Sequence, residues 1–165
     1  MAEEPEPKEP AGAVVVAMEI IKGMSGQDAL PQDELYALIQ QADITPEDLY
    51  QGFATLLHGF VSLVETPMGL MENPMDVVAP VIRRLRNSGL VTEDHLPTMG
   101  GALTAAALGQ SPSSWRRRLG TVDGSEAIAW AYTAWALADL IDFLAGKGTI
   151  AQLTDSTFKS LEERG

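Results

Sequence analysis

The chain has 165 residues, 45% of them apolar and 21% charged, which is the composition of one globular domain and leaves no room for two full cores. Cysteine is absent, which excludes a disulfide-stapled fold and Cys-ligated zinc or iron–sulfur centres, and fits a cytoplasmic protein. The net charge of −12 is segregated along the chain. Residues 1–76 hold fourteen acids against two lysines, residues 77–122 hold six arginines against Glu93 and Asp94, and residues 123–165 hold seven acids against three bases. Such a layout implies a polarised surface.

Residues 1–10 carry Glu3, Glu4, Glu6 and Glu9 among three prolines, with little to bury. A disordered acidic tail is expected there, and because acids stand where a basic export leader would, no signal peptide is expected. A single helical domain is expected over 11–165. Ala11 to Ile21 is nearly continuous in apolar residues and reads as a helix or a strand; a helix is favoured because no strand partner exists elsewhere. Asp33 to Ala42 reads as a short amphipathic helix with Leu35, Leu38 and Ile39 on one face. Thr45-Pro46-Glu47-Asp48 is a helix start with a capping hydroxyl, a proline at the first helical position and two acids in the first turn, and that helix should run to about Glu65.

Asn73-Pro74-Met75-Asp76 repeats the start signal, with Pro80 expected to kink or restart the helix before Gly89 stops it. Thr92-Glu93-Asp94 predicts a single turn ended by Pro97. Thr98 to Leu108 reads as an alanine-rich helix weakened by Gly100 and Gly101, Ser111-Pro112 starts an arginine-rich helix, and Gly120 ends it. Asp123 or Ser125 caps a long helix to about Ala145 that is apolar nearly all round. Thr154 begins a last amphipathic helix. The expected fold is an all-α, compact multi-helix bundle around residues 125–145. That central segment is apolar enough to suggest a membrane span, but Asp139 and Asp142 fall within it and no membrane association is expected.

Residues 102–120 carry the sharpest motif. A small residue at Ala105 that lets two helices approach, an apolar Leu108 expected to pack beneath the turn, a turn glycine at Gly109 and an inward aromatic at Trp115, followed one turn on by Leu119, also expected to face inward, have the spacing of two helices joined by a tight corner. This segment resembles the DNA-binding helix-turn-helix. Gln110 and Arg118 depart from the usual pattern, which favours apolar residues at both. The resemblance implies that Ser111, Ser113, Arg116 and Arg117 face the major groove of double-stranded DNA, with Arg83, Arg84 and Arg86 adding phosphate contacts. The competing use of those arginines is internal, against the acids of residues 33–48, the tail, or Asp139 and Asp142. These last two lie three apart on the apolar helix and need cationic partners if buried.

No phosphate loop, nucleophile elbow or paired metal-ligand spacing appears. His58, Ser62 and Glu65 share one helix face, but with only two histidines in the chain and no Glu-x-x-His pair the stripe is best read as a solvated edge. Met68, Met71 and Met75 form a soft apolar patch around prolines. No cofactor and no enzymatic activity is expected. The function expected first is a non-catalytic interaction or assembly protein, acting on a protein partner or on itself; the alternative is DNA binding through residues 102–120.

Overall fold

The structure, a computed structural model, describes residues 10–24, 31–65, 72–150 and 152. The acidic tail to residue 9, Met68, Met71 and the expected final helix from Thr154 lie outside them. Seven α-helices and no strand are present among the described residues, an all-α bundle as expected. They are α1 (Pro10–Met24), α2 (Gln32–Gln41), α3 (Pro46–Glu65), α4 (Val78–Ser88), α5 (Leu96–Ala107), α6 (Pro112–Arg117) and α7 (Gly124–Ala145). The β-branched run of Val14 to Val16 is therefore helical, as favoured.

The helix starts follow local chemistry. Thr45 Oγ1 accepts from the Asp48 N–H at 3.1 Å, Asn73 Oδ1 from the Met75 N–H at 3.0 Å, and Asp123 Oδ1 from the Glu126 N–H at 2.9 Å. Each satisfies a backbone donor that a first helical turn leaves unpaired. Gly89 closes α4 with φ +67°, and Gly109 follows α5 with φ +80°. The Gln110 and Gly109 N–H groups return to the Ala105 and Ala106 carbonyls, a closure that needs a left-handed residue at Gly109.

Two prolines act differently from expectation. Pro80 neither kinks nor restarts its helix: a 3-10 turn over Pro74–Val77 leads straight into α4, which begins at Val78. Pro80 thus occupies the first turn, where a missing N–H removes no intrahelical bond. Pro97 lies in the first turn of α5, one residue past its start at Leu96, rather than ending a turn, for the same reason.

The core is built on α3 and α7. α1 and α7 both lie along α3, α4 bridges α7 and α5, and α5 carries α6. From α3, Phe53, Leu57, Val61 and Val64 face inward; from α7, Trp130, Ala131, Ala134, Leu137 and Ile141 do so. All three tryptophans serve the core: Trp130 and Trp135 are buried, and Trp115 packs partly buried against it. By length and composition α7 can cross a membrane, and 78% of its most apolar stretch is buried inside the protein. Alanines at 127, 129, 131, 134, 136 and 138 let neighbouring helices approach α7 on several sides. Gly101 does the same for α6, because a Cβ there would stand 2.5 Å from the Trp115 ring.

Candidate functional site

The arginine corner is built by α5, α6 and the loop leading into α7. Ser111 caps α6 by accepting from the Ser114 N–H at 3.3 Å, and Pro112 fills the first helical position. α6 ends after six residues, and the chain turns back so that Arg116 points into the protein. Its side chain is among the few buried charges, 5% exposed. Nε donates to Glu126 Oε2 at 2.5 Å, and Nη2 to Oε1 at 2.6 Å. Nη1 and Nη2 also donate to the Gly120 and Thr121 carbonyls at 2.8 and 3.1 Å. The bond to Glu126 raises the Arg116 pKa above its ordinary value, so the guanidinium stays charged.

Glu126 sits in the first turn of α7, and its Oε2 accepts in addition from the Trp130 indole at 3.1 Å. Trp130 in turn packs against Tyr50, with ring centroids 5.3 Å apart and a 55° tilt. From α3, Glu47 Oε1 accepts the Val122 N–H at 2.9 Å and ties down the same loop. Four elements therefore converge on one buried ion pair. Burial and bidentate geometry make it a structural pair, since removing either partner strands the other charge.

Of the two uses left open for Arg116, this placement is the internal one: the side chain does not face outward as the helix-turn-helix resemblance implied, and its partner, Glu126, is an acid the sequence did not single out. Arg117 and Arg118 are exposed, Ser113 is half-buried with its carbonyl accepting from Tyr50 Oη at 3.3 Å, and Ser111 is bonded to Ser113 at 3.0 Å. Ala105 is buried as expected. Leu108 and Leu119 are not: they are 64% and 60% exposed. Leu108 is the cap residue where α5 ends, and Leu119 follows the end of α6, so neither lies on a continuing inward helix face.

The other expected arginines lie on α4, and Arg83, Arg84 and Arg86 are all exposed. Arg84 Nη2 lies 3.1 Å from Asp139 Oδ2, with the two side chains 48% and 36% exposed. The Arg84 guanidinium also covers the Trp135 ring at 4.9 Å, a cation–π contact. Arg86 approaches Glu93 at 3.8 Å. The expected ion pair of Asp139 is thus formed with α4. Asp142 Oδ1 accepts from the Ile150 N–H at 2.8 Å and holds the turn after α7.

Beside the Arg84–Asp139 pair runs a groove of about 210 Å³, lined by Pro80, Arg84, Ala136, Asp139, Leu140 and Phe143. Phe143 is 84% exposed, the largest value for a big apolar side chain among the described residues. The apolar pattern of the sequence groups it with the core helix; the available signal is its position in the last turn of that helix, four residues past Asp139.

The two histidines are separate. His58 lines a shallow cavity of about 260 Å³ with Thr55, Gly59, Ser62 and Ser111. Ser62 Oγ donates to the His58 carbonyl at 3.0 Å, and the Glu65 side chain lies outside the described residues. His95 Nε2 and Ser125 Oγ are 3.0 Å apart at a cleft of about 150 Å³ that also includes Gln32 and Tyr36, a pairing the sequence did not suggest. Among the described residues no three His, Asp or Glu side chains converge as a metal site requires. Compared with known protein families, curated proteins and solved structures, the chain matches none.

Proposed function

We propose that this protein is a non-catalytic helical interaction module that docks through the face formed by α4 and the C-terminal half of α7. The observation that carries this reading is Phe143, an aromatic side chain 84% exposed beside a groove with half-exposed Arg84 and Asp139 on its flanks. Aromatic and arginine side chains are enriched where proteins bind proteins, and a burial-ready ring beside charged flanks has the anatomy of an interface core with a polar rim. The charge layout agrees, because Arg84 brings a partly exposed cation to this face in a chain of net charge −12.

DNA contact through α6 is the competing reading, supported by the exposure of Arg117 and Arg118. It loses Arg116 to Glu126. A basic footprint restricted to these few side chains must also work against the acids of the rest of the surface.

Photo-crosslinking in the native cells separates the two. A photoreactive residue placed at 143, and separately at 117, is expected to yield a protein adduct from position 143. Adducts to nucleic acid from position 117 with none to protein from position 143 overturn the reading.

A further inference from the structure

The groove beside Phe143 carries its own complement. Pro80 and Arg84 of α4 form one wall, and Ala136, Asp139, Leu140 and Phe143 of α7 form the other. Ala136, Leu140 and Phe143 are spaced four and three apart, which places them in one row on the helix. Leu144, 39% exposed, extends the apolar strip toward the helix end. One cation and one anion stand on this strip, 3.1 Å apart and each partly open to solvent.

We propose that this face is an interface between two copies of the chain related by a two-fold axis, with Phe143 of each copy seated in the groove of the other. This deepens the interaction reading above and rests on it. A two-fold contact brings one surface patch against itself, so the patch must be self-complementary. Here it is: under such an axis Arg84 of one copy faces Asp139 of the other, and Asp139 faces Arg84, while apolar side chains meet at the centre. Two molecules of charge −12 repel wherever acids oppose acids. On this face the acid of the groove, Asp139, is matched by Arg84, so the patch sets no unmatched acid against itself.

Sedimentation velocity of the full chain, from low micromolar to several hundred micromolar, tests this. Wild-type protein is expected to approach twice the monomer mass at the high end, and Phe143→Glu to remain monomeric. Arg84→Asp and Asp139→Arg are each expected to be monomeric, because each sets like charges against one another across the axis. An equimolar mixture of these two variants is expected to dimerise, since each copy then supplies the charge the other lacks. Rescue by mixing requires both variants to be folded, and circular dichroism of each checks this independently; should either fail to fold, Arg84→Glu and Asp139→Lys make the same exchange.

A strictly monomeric wild type, a dimer that survives Phe143→Glu, or a mixture as monomeric as its parts overturns the dimer. A monomeric wild type with a crosslink from position 143 to a different protein overturns the dimer alone. Absence of any protein crosslink from position 143 removes the underlying interaction reading as well.

Discussion

At the scale of single residues, Arg116 decides how the arginine corner is used. Its guanidinium makes two bonds to Glu126 and two to loop carbonyls, and the residue is 5% exposed. Arg116→Ala leaves the Glu126 carboxylate buried with only Trp130 and nearby backbone for company, and the expected loss is about 3–5 kcal/mol of unfolding free energy. Arg116→Met with Glu126→Met removes both charges and is expected to cost much less, because no charge is stranded. Urea unfolding of the single and double variants measures both; a single-variant loss below about 1 kcal/mol, the scale of an exposed pair, contradicts the assignment. The sequence posed the orientation of Arg116 but did not resolve it. The answer depends on how residues 118–123 fold back, and the clue was an acid in the first turn of the next helix across a short loop. Leu108 and Leu119 were misread for a related reason: both follow helix ends, where helical spacing no longer tells which way a side chain points.

At the scale of elements, α7 is the most continuously buried helix. Its near-continuous apolar pattern was legible, as were the starts at Thr45, Asn73, Ser111 and Asp123, because these are local backbone chemistry. Pro80 and Pro97 were misplaced since a proline in the first turn and one that breaks a helix look alike until the start is known. Inside α7, burial and then the Asp33 charge push the Tyr132 phenol up to about 12. A phenol whose folded pKa lies above its unfolded value of 10 stabilises fully below pH 10. That contribution is lost as pH rises from 10 to about 12, at roughly 1.4 kcal/mol per pH unit. Unfolding free energy measured across this window is expected to fall less steeply in Tyr132→Phe than in wild type. Equal slopes would show that the phenol is not held neutral by α7 packing.

At the scale of the molecule, the question is what a strongly acidic bundle does with one basic band. The band divides in two in the folded protein. One part, Arg116, is absorbed into the core, and another, Arg84, anchors the rim of the α4–α7 groove while stacking on Trp135. Charge segregation was visible in the sequence, but its division was not, because it arises from contacts between residues many positions apart. Phe143 was hidden for the same reason: an apolar helix pattern does not say which turn runs past the end of its neighbours. Amide hydrogen exchange measured as a function of protein concentration is the most direct check on the α4–α7 face. Concentration-dependent protection confined to residues 78–88 and 136–144 is the expected result. Exchange there that is independent of concentration, or protection that appears instead on α6, would contradict it.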